Sequence, residues 1–313
     1  MKHTSRLLDG VIHVYELAGG PGELAPAARI RPVAGDEPVA ISVTSDLGRV
    51  CYTTLNAVVC VSADGSEVWR HPLEPHSSAR YGHRPDCAYS PDDRTVWVYR
   101  PDVMADRSPV DLWVVLDAAT GGQIDGAELE TAGHGGSQYF HPTDGHVLLE
   151  LGEGQDGVAA FRGRLEAGRL EVVRYPWHDR CLIDLSPDGT RFMTVDHGQA
   201  DVTFHRYPGG EEVLTLAVED FGPEAEDGVV EWGGGFLSDG TAVVTLAGED
   251  EETEQEWHRD HLVDLATGSV TPFASGSADS YDITPLGDGS WLLAGPTGHP
   301  VRCTQAVRPS VAR

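Results

Sequence analysis

The sequence predicts an all-β protein, a single β-propeller domain of four-stranded antiparallel blades covering 1–313. Three observations carry this. An Asp/Gly turn recurs six times, as SDLG (45–48), SPDD (90–93), PTDG (142–145), SPDG (186–189), LSDG (237–240) and LGDG (286–289), with last residues 45, 52, 44, 51 and 49 apart. The runs on either side are rich in Val, Ile, Leu, Thr, Tyr and Trp, as in CAYS before TVWVYR and CLIDLS before RFMTVD, which is strand composition. No segment of a dozen or so residues shows helical periodicity with caps, so a parallel βαβ array lacks its helices. An Asp-Gly step between apolar runs signals a hairpin, because both residues tolerate left-handed backbone angles. Six such steps at near-equal spacing mark one repeated unit.

Along the chain each unit reads the same way. Two strands flank the Asp/Gly turn, a variable loop follows, then a third strand ending in turn residues and a more polar fourth. Third and fourth strands are visible in VVCVSADGSEVWRHPL (58–73), LWVVLDAATGGQIDGAEL (112–129) and HLVDLATGSVTPF (261–273). A period of about 48 residues divides the chain into about 6.5 units, and the six turns predict six blades. VIHVYELAGG and ELAPAARI, within 11–30, resemble third and fourth strands; DSYDITPL and GSWLLAG, within 279–295, resemble first and second. The closing blade is therefore expected to mix N- and C-terminal strands, which removes an exposed sheet edge. HPVRCTQAV (299–307) reads as a further third strand, and on that count seven blades is the alternative.

Composition bounds the function. With 22 basic and 50 acidic side chains the net charge is −28, which repels phosphate and excludes unspecific binding to nucleic acid or an anionic membrane. No apolar run approaches the ~20 residues of a membrane helix. Polar and acidic residues interrupt the N-terminus where a signal peptide needs an apolar stretch, so a cytoplasmic location is expected. The five cysteines, Cys51, Cys60, Cys87, Cys181 and Cys303, are scattered without C-x-x-C spacing and read as buried reduced thiols. Walker, nucleophile-elbow and dinucleotide motifs are absent from the sequence.

The SPDG-type turns, DAATGG and ADGSEVWRHPL resemble the bacterial WD-repeat-like, YVTN-type and PQQ-like propeller superfamily. The resemblance spans nearly the whole chain at the level of fold. It implies a scaffold, a binder or an enzyme alike, because function lives in sites grafted on such folds. Gly82-His83 and Gly133-His134 resemble the Gly-His step of WD repeats but lie closer to the turn, and the closing Trp-Asp dipeptide is missing. The tryptophan sockets of PQQ enzymes are also missing, so the resemblance implies no such cofactor.

In a propeller the loops leading into first strands and those joining strands two and three share one face, here called the mouth face; the Asp/Gly turns fall on the other. Eight of the fourteen histidines map to the mouth face or near it: His76, His83, His134, His178, His197, His258, His261 and His299. Arg84, Asp86, Asp102, Asp106, Arg107, Asp156, Asp179, Arg180, Asp196, Glu231, Trp232 and Asp282 join them, and loops on a rigid scaffold are where sites are built. His83, His134 and His178 each precede a first strand in successive blades. If they converge, three imidazoles suit a divalent metal with Asp86 or Asp179 orienting them; otherwise each bonds within its own blade. Trp177, His178, Asp179 and Arg180 form either an anion clamp with His178 as acid or base, or an aromatic plug with an Asp179–Arg180 pair. Tyr281 and Asp282 stand across from them. Glu231 and Trp232 precede a Gly triplet (233–235) that leaves room for a ligand or for a close-packed strand. The run GEDEETEQEW (248–257) is expected to be a solvated acidic loop, with a cation or basic partner as its functional alternative. The loop 101–109 is long enough to overhang the mouth as a partial lid.

Two functions follow. The first is a binding propeller holding a small molecule, protein or peptide, with basic or cationic ligands favoured by the charge. The second is an enzyme, a lyase, hydrolase or metal-dependent catalyst, using His178, Asp179, Arg180, Tyr281 and Asp282 with His83, Arg84, Asp86, His134, Trp177, Glu231 and Trp232 around them.

Overall fold

The computed structural model describes residues 3–79, 82–177, 179–225, 228–250 and 253–304. Among them every long element is a strand, and three short 3-10 turns are the helical content. The strands form seven antiparallel sheets, so the blade count is seven, and the expectation of six is corrected. The uncounted turn is Asp9-Gly10. It joins His3–Leu8 to Val11–Glu16 in register Leu8↔Val11, with both turn residues at positive φ, 50° and 73°. That is a two-residue hairpin of the kind whose twist matches the strands. The sequence hides it because HTSRLL lacks the apolar alternation of the other first strands.

Blade 1 holds three strands, within 3–30, and blades 2 to 5 hold four each, within 41–72, 86–129, 135–174 and 180–217. Blade 6, within 228–273, has five. Blade 7 takes Thr284–Pro285, Ser290–Ala294 and Pro300–Thr304 from the C-terminal region and Gly22–Glu23 from the N-terminal region, pairing Val301 with Glu23 and Arg302 with Gly22. The expected mixing of strands from the two ends is therefore present, by one short strand. Pro300–Thr304, within the stretch read as a further third strand, is that strand, as the seven-bladed alternative required.

Two compact units emerge from the packing. One runs up to Ala18 and resumes at Ala25–Cys181; the other takes Gly19–Leu24 and continues from Leu182. In the first unit, apolar faces of adjacent sheets close on one another. Ile12, Val14 and Ile30 of blade 1 meet Val43, Val50 and Val59 of blade 2, and Trp97, Tyr99 and Trp113 of blade 3 meet Val147, Leu149 and Leu151 of blade 4. In the second unit, Met193, Val202 and Phe204 pack against Phe236, Val244 and Leu246. The cysteines are free thiols and four are buried, as expected.

The Asp/Gly turns are structural. Thr44, Ser90 and Ser186 each donate a hydroxyl to the Asp two residues on, at 2.7 Å. Asp93 accepts Ser45 N–H from the preceding blade, and Asp239 accepts Asp188 N–H, so the turns also lock neighbours together. On the other side of the blades a second latch recurs. Asp111, fully buried at the start of a third strand, accepts from Tyr99 hydroxyl, Thr131 hydroxyl, Gly133 N–H and Val103 N–H. Asp260, within the third strand of blade 6, accepts from Thr245 and Ser275, and Asn56, just before the third strand of blade 2, accepts Ser77 N–H. The loop 101–109 is part of this brace. Arg107 reaches Pro75 and Leu55 carbonyls and Asn56, while Asp102 sits buried between Arg100 and Arg107. The expected lid is pinned down.

Candidate functional site

In the first unit the sequence-selected residues that are described make local contacts, with His134 next to Gly82 and Arg84. His83 is 1% exposed, its Nε2 lies 3.2 Å from Ala79 carbonyl, and burial lowers its pKa. His134 is exposed and lies beside Gly154, where a Cβ would come within 3.2 Å of Nε2. His178 lies outside the described residues. Arg84 is exposed and uses its backbone N–H on His134 carbonyl, 2.7 Å. Asp86 accepts Gln138 Nε2 at 2.7 Å, and Trp113 Nε1 donates to the other end of that amide at 2.9 Å. Burial pushes the Asp86 carboxyl up to about 6. Trp177 stacks on Tyr175 with ring centroids 4.3 Å apart. Asp179 stands against Gly157, where a Cβ would meet its carboxylate at 2.4 Å, and Arg180 opens the first strand of blade 5.

In the second unit residues of blade 6 and blade 7 do converge. Blade 6 has a broken first strand: Gly228–Val230 pairs with Thr241–Asp250 at one end, and Gly235–Ser238 pairs with it at the other. Between them the chain bulges out, presenting Glu231 and Trp232. Gly234 makes the bulge possible. Its φ is +91° and a Cβ there would lie 2.3 Å from Val243 carbonyl, a conformation open to glycine alone. Of the two expectations for the Gly triplet, close backbone approach is the one realised at this position.

The acidic run is a correction. Its two ends are strand: Thr241–Asp250 and Gln255–Asp264 pair as a long hairpin, with Glu249 opposite Glu256 and Asp250 opposite Gln255, and residues 251 and 252 of the run lie outside the described residues. Trp257 is the reason this polar ribbon holds. Its ring lies across Gly228 and Gly248, where Cβ atoms would sit 2.7 and 2.5 Å from it, and Arg259 covers it with its guanidinium 4.6 Å from the ring centroid. A cation over an aromatic face contributes about 1 kcal/mol.

These pieces enclose a cavity of about 530 Å³ lined by Glu231, Glu249, Glu256, Asp279, Trp257 and Tyr281, among others. Glu231 is 7% exposed. Its carboxylate accepts Gln199 Nε2 at 3.5 Å and lies near the Tyr281 phenol, and no basic side chain among the described residues pairs with it. Burial and this carboxylate push the Tyr281 phenol up to about 12, so it remains a donor. Tyr281 is 58% exposed and forms the outer wall. Trp232 leans away from the cavity, stacked on His197 at 5.6 Å. Asp282 is a brace, accepting Ala294 N–H at 2.5 Å. Glu231 and Tyr281 are thus brought to one cavity from positions fifty residues apart in sequence. Trp257 and the Glu249/Glu256 pair, from the acidic run whose functional alternative is a cation or basic partner, complete the lining with Asp279, which the sequence reading did not single out.

No family model matches the chain, and no curated protein does. Solved structures do. Hydrazine synthase from Kuenenia stuttgartiensis is similar at 14% identity and TM-score 0.55, over 82% of this chain and 73% of that one. BamB from Moraxella catarrhalis is similar at 12% identity and TM-score 0.53, over 95% and 80%. The Dos1 propeller is similar at 11% identity and TM-score 0.53, over 93% and 80%. At such identities the likeness is one of fold, and the fold is the β-propeller.

Proposed function

We propose that this protein is a binding propeller whose blade 6 pocket takes a cationic group, an amine or guanidinium, on Glu231. The fold is consistent with ligand or partner binding, and the single observation that carries the reading is Glu231 itself. A carboxylate this deeply buried costs several kcal/mol to desolvate and normally sits beside a cation. Here it lines a cavity instead, with hydrogen bonds but no positive partner among the described residues. Glu249 and Glu256 face each other directly across the hairpin, a like-charge pair that a bound cation would relieve. The −28 charge draws cations toward any such pocket.

Calorimetric titration with lysinamide, argininamide and agmatine tests it, with neutral acetamide and anionic glutamate as controls. The amines should bind and the controls should not. Glu231→Gln keeps the shape and removes the charge, and should weaken binding at least tenfold, ~1.4 kcal/mol. Equal affinity in wild type and variant would move the site away from Glu231.

A further inference from the structure

The hairpin of blade 6 outgrows its own sheet. Gln255–Asp264 is covered on its outer side by Val270–Phe273, which pairs only with Asp260 through Val263. Residues 255–259 therefore have Thr241–Asp250 on one side and no strand on the other among the described residues. An uncovered strand edge presents a row of backbone donors and acceptors, and natural proteins leave such an edge open where something pairs with it or where charge keeps it from aggregating. Charge is plentiful along the ribbon and mostly acidic, with Glu249, Asp250, Glu254 and Glu256 against Arg259, whose guanidinium lies over Trp257.

A second cavity adjoins this edge. It measures about 670 Å³ and is lined by Phe221, Pro223, Pro272 and Phe273 with His258 and His261. His258 lines the Glu231 cavity as well, so the two cavities flank the same stretch of strand. The second is more apolar than the first: Phe221, Pro223, Pro272 and Phe273 form much of its wall, and Asp260, its one described carboxylate, is held by Thr245 and Ser275. His261 is 6% exposed, packs edge-on against Phe221 with ring centroids 5.2 Å apart, and is held by burial below its ordinary pKa, so it adds a neutral ring to this wall.

We infer that the outer edge of 255–259 captures an extended basic peptide by strand addition, with a Lys or Arg side chain in the Glu231 cavity and a bulky apolar side chain in the Phe221/Phe273 cavity. The inference rests on the cation reading of the Glu231 pocket and deepens it from a charged group to a class of partner. Charge complementarity selects the occupant. An acidic segment would meet Glu249, Asp250, Glu254 and Glu256 along the ribbon, whereas a basic one neutralises them. An extended chain is required because the backbone groups on offer are those of a strand, and side chains of an added strand alternate between its two sides.

The test uses a fluorescein-labelled decapeptide of alternating Lys and Leu with blocked ends, read by anisotropy, and two copies of it N-methylated at either the odd or the even amides. N-methylation preserves charge and apolar surface but removes the donors of one edge. The parent peptide should bind at least tenfold tighter than lysinamide. One methylated copy should lose at least tenfold, and hydrogen exchange at residues 255–259 should slow in the complex. If both methylated copies bind like the parent, or the peptide binds no better than lysinamide, strand addition is overturned while the cation pocket stands. If neither peptide nor lysinamide binds, the pocket reading falls with it.

Discussion

Asp86 opens the first strand of blade 3, held by Gln138 and raised by burial to about 6. A carboxyl whose folded pKa lies above its ordinary 3.8 binds its proton more tightly in the folded state. Its contribution is present in acid and is lost as pH climbs through about 6. Asp86→Asn, whose carbonyl oxygen still accepts the Gln138 amide, removes that dependence. The stability difference between variant and wild type should be small near pH 4 and grow to roughly 1–3 kcal/mol in favour of the variant at pH 7. Urea denaturation at several pH values measures it; a difference that stays flat would show that Asp86 is ionised throughout. Residues of this kind were legible as polar groups at a first strand, but their roles were not. Glu231 and Tyr281 each stood out in the sequence, yet nothing in a spacing of fifty residues reveals that they line one cavity. Asp282, equally prominent, is a backbone brace.

Elements were legible where the signal is local. An Asp/Gly turn between apolar runs needs only four residues to declare itself, and every counted turn joins a first to a second strand. Blade 1 escaped because its first strand is polar and its turn has no preceding Ser or Pro. The acidic hairpin escaped for a different reason. Glu-rich sequence disfavours strands, and here Trp257 on its glycine platform overrides that preference from a distance in sequence. The buried latches escaped because their identities vary: Asp111 with Thr131, Asp260 with Ser275, Asn56 with Ser77. Their weight is testable. Asp111→Ala strands four donors away from water, and should cost about 3–5 kcal/mol of unfolding free energy. Asp239→Ala, on an exposed turn that loses one contact with Asp188 N–H, should cost about 1 kcal/mol or less. Similar losses from both would mean that the latch is not what joins a blade to the next loop.

At the scale of the whole molecule, charge and connectivity decide behaviour. A net −28 over 313 residues repels itself, so added salt should raise the melting temperature as screening sets in near a Debye length of about 10 Å at 0.1 M. The same salt should slow association of a cationic ligand, and scanning calorimetry beside stopped-flow mixing reads both trends. A melting temperature that falls with salt would show that net attraction between surface charges dominates. Connectivity sets a further condition through the two-residue strand Gly22–Glu23. Arg302 pairs with Gly22 and donates to Gly19 carbonyl at 2.7 Å, and Leu24 N–H reaches Pro300 carbonyl at 2.9 Å. These partners are about 280 residues apart, so joining them costs on the order of 5 kcal/mol in loop-closure entropy. During synthesis the segment 19–24 leaves the ribosome well before its partner strand Pro300–Thr304. Until that strand emerges blade 7 cannot close, and the nascent chain carries an unclaimed strand that must be kept from pairing elsewhere.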